Sequence, residues 1–192
     1  MARRGPRLVG RRQSMRRDQE GPQYDVRIIR SNKVFKVHKG GKTAQWSILV
    51  VVGDNKGMVG VGQGKARGIP DAIRKGEETA RKNMFKVELI GQTIPHEITS
   101  TFGAATVILK PASPGTGVKA GSSLRHILEA VGVHNVLAKC IGSRNPTNIA
   151  YATLKAFRAL ESPEQIAARR GADVNELAPW LAKARKEEAE SA

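Results

Sequence analysis

Apolar positions in this chain change their spacing several times, and each change marks an element. From Val26 to Val37, β-branched residues alternate with Arg30, Lys33 and Lys36, which predicts a strand. His38-Lys39-Gly40-Gly41-Lys42 is a glycine turn, and Trp46–Gly53 is a continuous apolar run of the kind a central strand needs. Asp54-Asn55-Lys56-Gly57 has the residue types that tolerate positive φ in a hairpin turn, and Met58–Gly64 alternates apolar residues with glycine. Three antiparallel strands are therefore expected. The spacing then becomes helical. Pro70 stands where a first turn begins, Ile73, Gly76, Ala80 and Met84 share a face, and Arg74, Lys75, Glu78, Arg81 and Lys82 lie opposite, up to about Phe85.

The second half repeats the exercise in another order. Thr93–Ser100 and Ala104–Lys110 read as strands around Phe102-Gly103, and Pro111–Gly117 as a long rigid turn. Ser122 and Ser123 are candidate caps for a helix whose apolar face is Leu124, Ile127, Leu128 and Val131, ended by Gly132. Val136–Ile141 follows as a strand. Asn145-Pro146 opens a helix with Ile149, Ala152, Ala156 and Leu160 on one face. The expected class is α+β. A βββα unit spans 24–87, a ββαβα unit spans 93–161, a basic arm over 1–23 is disordered when free, and a charged helical tail covers 162–192, starting at Ser162-Pro163.

Charge narrows the function. Of 192 residues, 33 are Lys or Arg against 17 Asp or Glu, a formal net charge of +16. Seven arginines face only Asp18 and Glu20 in residues 1–20, the body is strongly basic, and the tail is slightly acidic. A folded body so charged repels itself unless a polyanion compensates, and nucleic acid is the expected one. No apolar stretch is long enough for a membrane helix, and no apolar segment follows the basic N-terminus to make a secretory signal. The single cysteine, Cys140, lies in an apolar run, reads as a small core or strand residue, and suits a reducing cytosol.

Candidate chemistry points to binding, not catalysis. The histidines His38, His96, His126 and His134 are scattered without metal-ligand spacing, and Ser113 and Ser122 lack a nucleophile elbow, so neither metal, cofactor, small-molecule substrate nor enzyme activity is expected. The glycines 57, 60, 62 and 64 fit neither a dinucleotide fingerprint nor a Walker loop. They are expected to let backbone approach a polyanion, with Lys65 and Arg67 beside a helix start. Lys33, Lys36, Lys39 and Lys42 recur every third residue around Gly40 and Gly41, so on a hairpin they cannot all share one face. Lys56 joins them as a phosphate candidate. Phe35 or His38 could stack on a base. The competing reading is a solvated hairpin with Phe35 in the core. Aromatics are only 4% of residues, without the paired motifs of an RNA-recognition sheet, which favours phosphate contacts over base readout.

Several blocks in order resemble one family. Val50–Ala66, Lys39-Gly40-Gly41-Lys42, Ala80–Met84, Pro111–Gly117 with Ala120-Gly121, and Gly142–Asn148 are similar to the small-subunit ribosomal protein S-five family, from about Val26 through Gly171. The resemblance implies a first domain like a double-stranded-RNA-binding domain, with Gly62–Gly76 as its RNA-contacting corner. It implies a second, ββαβα domain with a left-handed crossover, shared with other ribosome and GTPase domains. It further implies binding to small-subunit rRNA near the mRNA entry, contact with ribosomal proteins S-four and S-eight, and an influence on decoding accuracy. Val34, Phe35 and Lys36 match the region linked to spectinomycin resistance, and Gly117 and Arg125 the accuracy region at the S-four contact. The chain departs from the family at Thr43-Ala44-Gln45-Trp46, where an aromatic-Ser-Phe pattern is usual, and in its Arg-rich arm. The alternatives are an RNA-binding regulator or chaperone acting off the ribosome and, more remotely, an RNA-processing enzyme.

Overall fold

In a computed structural model, residues 24–171 and residue 174 are described; the expected arm over 1–23 and most of the expected tail lie outside the described residues. The first half forms β1 (Asp25–His38), β2 (Gly41–Gly53), β3 (Met58–Ala66), α1 (Ile69–Lys82) and β4 (Phe85–Lys86), a sheet in the order β1-β2-β3-β4. All its pairings are antiparallel. The second half forms β5 (Ile98–Phe102), β6 (Ala105–Pro111), β7 (Val118–Lys119), α2 (Ser122–Val131), β8 (Val136–Gly142) and α3 (Pro146–Arg158), with sheet order β5-β6-β8-β7. Here β7 runs parallel to β8, and α2 makes the crossover between them. A short α4 (Pro163–Arg170) follows, held by a capping box between Ser162 and Gln165.

The run Ile48–Val52 is apolar throughout because β2 is covered there on both faces. Ile48, Val50 and Val52 pack with Ala72 and Ala80 of α1. Leu49 and Val51 point the other way and join Val59, Val61, Ile127, Val131 and the second sheet in one continuous core. Each such side chain contributes about 1.5–3 kcal/mol by leaving water, so the two halves are held together by burial and not merely linked. Trp46, one of the departures from the family pattern, is half-buried against the α1-side cluster and fills that position.

The glycines of β3 perform a task different from the expected one. A β-carbon on Gly60, Gly62 or Gly64 would lie 2.2, 2.2 or 1.9 Å from the carbonyl oxygens of Ala80, Gly76 and Ala72. They let α1 sit directly on the sheet, against its own stripe of small residues, and are not the backbone face offered to a polyanion. Other expectations shift by a few residues. Helix α1 stops at Lys82, and Phe85–Lys86 then pairs with β3 as an extra strand. The strand expected from Thr93 begins only at Ile98, since Pro95 lacks the amide a ladder needs. Gly121, not Ser122 or Ser123, is the N-cap of α2, and no side chain caps that helix start. Asn145 caps α3 as expected, its Oδ1 accepting from the Thr147 amide.

The turn Asp54–Gly57 ties the halves together. Asp54 Oδ1 accepts from the amides of Lys56 and Met58, each at 2.8 Å, which fixes the turn. The Asn55 and Gly57 amides then donate to the Ala130 and Val131 carbonyls at 3.1 and 2.8 Å, satisfying the end of α2. At the far side Glu129 of α2 accepts from both Arg125 and Arg27 of β1. The Arg125 hydrogen bond, assisted by the Arg27 charge, holds the Glu129 carboxyl below its ordinary value near 4.5 against the opposing effect of desolvation. Glu129→Gln should therefore cost about 1 kcal/mol at neutral pH, a melting-temperature loss of about 2–4 °C. A depressed carboxyl stabilises above its unfolded pKa and loses that contribution as pH falls through the lower folded one. The gap between wild type and variant in thermal melts should thus narrow as pH falls below the ordinary carboxyl value and close once it passes the lower folded one; a gap independent of pH would refute the ion-pair account.

Candidate nucleic-acid interface

Strand β3 ends its pairing at Trp46↔Ala66, but β1 and β2 continue to pair with each other to His38↔Gly41. The hairpin therefore projects about 17 Å beyond the three-stranded part of the sheet, at about 3.4 Å per residue. Directly paired residues share a face. Lys33, Phe35 and Val37 lie with Trp46, Ala44 and Lys42 on the α1 side; Val34, Lys36 and His38 lie with Gln45 and Thr43 on the other; Lys39 and Gly40 form the tip. The cations thus occupy both faces, as their spacing required. Phe35 is 57% and Val37 68% exposed, so Phe35 is not a core residue. The Lys33 ammonium sits 5.5 Å from the Phe35 ring centre and 6.0 Å from that of Trp46, making one cationic-aromatic surface.

Lys65 pairs opposite Ser47 at the root of this hairpin, and Arg67 follows just before α1. Both are exposed or nearly so. Gly68 is the N-cap of α1 and Pro70 lies in its first turn, so the helix start points its positive dipole end toward this corner. Lys33, Lys36, Lys39, Gly40, Gly41, Lys42, Lys65 and Arg67 accordingly lie at one end of the first sheet. Lys56 does not join them. It belongs to the opposite turn, about 20 Å along β2 from Lys65 and about 37 Å from Lys42, in the loop that docks on α2.

One feature of this end escaped the sequence reading. Arg30, Asn32, Ser47 and Gln63 line a polar groove of about 320 Å³, closed on its other side by Asn145, Pro146 and Thr147. Alternation along β1 and β2 could have placed Arg30 beside Lys36 and Lys65; only the docking of the second module supplies the other wall. Arg30 Nε donates to Asn32 Oδ1 at 3.1 Å, and Gln63 Nε2 to Ser47 Oγ at 2.9 Å.

Gly117 and Arg125 lie away from the hairpin. Gly117 has φ +72° with open space where a β-carbon would stand, and its amide donates to Asn135 Oδ1 at 3.2 Å. Arg125 projects from the first turns of α2 and pairs with Glu129 at 2.7 Å. Cys140 is half-buried on β8, and burial pushes its thiol pKa up, the opposite of an activated nucleophile. His96 accepts the Glu161 amide at 3.2 Å and is a structural residue. Among the described residues no three His, Cys, Asp or Glu side chains gather as a metal site would require, and no helix is long and apolar enough to cross a membrane.

Known proteins match both halves. Residues 24–88 match the family described as "Ribosomal protein S5, N-terminal domain" and residues 100–170 that described as "Ribosomal protein S5, C-terminal domain". The chain is 52% identical over 151 residues to the "Small ribosomal subunit protein uS5" of Syntrophobacter fumaroxidans, covering 79% of this chain and 91% of that protein. A two-module α+β fold agrees with both matches. The chain belongs to the ribosomal protein S5 family, whose members are structural proteins of the small ribosomal subunit and not enzymes.

Proposed function

We propose that this chain holds small-subunit rRNA mainly through its phosphates, lies near the mRNA entry of the cytoplasmic ribosome with ribosomal proteins S-four and S-eight as neighbours, and influences decoding accuracy. The observation that carries the RNA contact is the projecting hairpin, which has cations on both faces and no core of its own to serve. An RNA groove can wrap such a hairpin, with Lys36, Lys39 and Lys42 on phosphates and Phe35 free to stack on a base. Lys65 and Arg67 extend the same track onto the start of α1. Val34, Phe35 and Lys36 would then be the residues through which this protein affects spectinomycin sensitivity. Gly117 and Arg125 would face the S-four neighbour: one is an open turn that a side chain would strain, the other an exposed guanidinium.

The test is deletion of Lys36–Lys39 with the strands rejoined by a short glycine turn. Cells carrying the variant should change in spectinomycin sensitivity, while the protein still sediments with salt-washed small subunits, because the deleted segment touches no core cluster. Unchanged sensitivity in assembled subunits would remove the hairpin from that role. Failure of the intact chain to co-sediment would favour a regulator acting off the ribosome.

A further inference from the structure

Four charged side chains form a row across the two modules. Asp25 Oδ2 accepts from Arg27 Nε at 2.7 Å, Arg27 Nη1 donates to Glu129 Oε2, and Glu129 Oε1 accepts from Arg125 Nε at 2.7 Å. Asp25 and Arg27 stand two residues apart on one face of β1, and Arg125 and Glu129 one turn apart on α2. The signs alternate along the row. Its inner members are half-buried, but its last is not: Glu129 keeps 30% of its side-chain surface exposed and Arg125 keeps 58%. Arg125 is the open end of the row.

Helix stability does not account for where these two residues stand on α2. A helix favours acids in its first turn and bases in its last, because its N-terminus is the positive end of the dipole. Helix α2 has neither. Its arginine lies in the first turns and its glutamate close to the end, so each charge faces the end of like sign. The order is also the weaker one for a pair one turn apart, where acid before base is preferred. Glu129 is compensated by Arg27, which comes from the other module. Arg125 is held by Glu129 alone, through Nε. The outer edge of its guanidinium, with the two terminal nitrogens, has no other residue as partner among the described residues. That edge presents the parallel pair of donors that matches a carboxylate.

We infer that Glu129 is a positioning residue for the protein contact of this module: it holds the Arg125 guanidinium in one orientation, so that its outer edge meets a carboxylate of the neighbouring protein. This rests on the reading that Arg125 faces the S-four neighbour. An arginine free in solution loses rotamers when it is bound, whereas one immobilised beforehand has fewer to lose. Glu129 therefore strengthens the contact without touching the partner. It does not compete for Arg125, because it occupies Nε and leaves the outer edge to the partner. Arg27 seats Glu129 from β1, so the orientation of Arg125 is set by how the two modules dock.

The full chain is titrated with purified ribosomal protein S-four, and wild type is compared with Arg125→Gln, Glu129→Gln and the double variant. Ile48→Val, a trim in the core cluster under α1, is the control for lost stability. Arg125→Gln should weaken binding by about thirtyfold, as truncation of one partner of a charge pair does. Glu129→Gln should weaken it by about threefold, the cost of ordering one long side chain on binding instead of beforehand. In the Arg125→Gln background Glu129→Gln should add nothing, and Ile48→Val should bind like wild type. A loss in Glu129→Gln that persists without Arg125, or that Ile48→Val reproduces, would overturn the inference by making Glu129 a residue of the fold alone. Unchanged or tighter binding by Glu129→Gln, with Arg125→Gln weakened, would overturn it and leave the Arg125 reading in place. If Arg125→Gln binds like wild type, or wild type does not bind at all, that reading falls and the inference falls with it.

Discussion

Gly64→Val should destabilise the protein by about 3–5 kcal/mol and lower its melting temperature by about 10 °C or more. A β-carbon at Gly64 would stand 1.9 Å from the Ala72 carbonyl oxygen and 2.5 Å from the Gly76 amide nitrogen. Both are backbone atoms inside α1, so no side chain can rotate away, and the helix itself must rise. Raising it uncovers Ile48, Val50 and Val52, which are fully buried beneath it. The cost therefore includes lost burial on the neighbouring strand as well as the local clash. Gly40→Ala is the matched control. Its β-carbon would meet nothing within 4 Å and its φ is not in the left-handed region, so the change should stay within about 0.5 kcal/mol. Thermal unfolding followed by circular dichroism reads both. Equal melting temperatures for the two variants would mean that α1 does not rest on β3 through these glycines.

That contact shows what could be read before the fold was known. Glycine at every second position of β3 and small residues at helical spacing in α1 are both visible in the chain. Their meaning as two halves of one contact depends on α1 folding back over the strand that precedes it, and no local pattern states that. The apolar run of β2 likewise announced a buried strand, but the cover for its second face comes from α2 and the second sheet, some seventy residues later. The strands Phe85–Lys86 and Val118–Lys119 were invisible for a simpler reason: two residues carry no periodicity. Among the candidate binding residues, those close in sequence around Gly40 and Gly41 lie together because one hairpin carries them. Lys56 lies at the other end of β2 and β3, a separation that strand length sets and no local pattern states. Arg30 carries no motif. It becomes notable only once a groove forms around it.

Replacing Lys33, Lys36, Lys39 and Lys42 together by glutamine should lower affinity for small-subunit rRNA on the order of a thousandfold at about 0.1 M monovalent salt. Each phosphate neutralised contributes about 0.7–0.9 to the log–log slope of affinity against salt, so four lost contacts should reduce that slope by about 3. The two lines must then converge as salt approaches about 1 M, where counterion release contributes nothing. This convergence separates the electrostatic account from a folding defect, which would displace the lines in parallel. The fold should tolerate the change, because the projecting part of the hairpin pairs only with itself and the four side chains are exposed. The packing of Lys33 on Phe35 and Trp46 is the one local loss, worth about 0.5–1 kcal/mol at an exposed site. Phe35→Ala divides the remaining possibilities. A ring that stacks on a base contributes about 1–3 kcal/mol without releasing counterions, so its removal should lower affinity at every salt concentration and leave the slope alone. A Phe35 variant that binds like wild type would assign the whole contribution of the hairpin to phosphate.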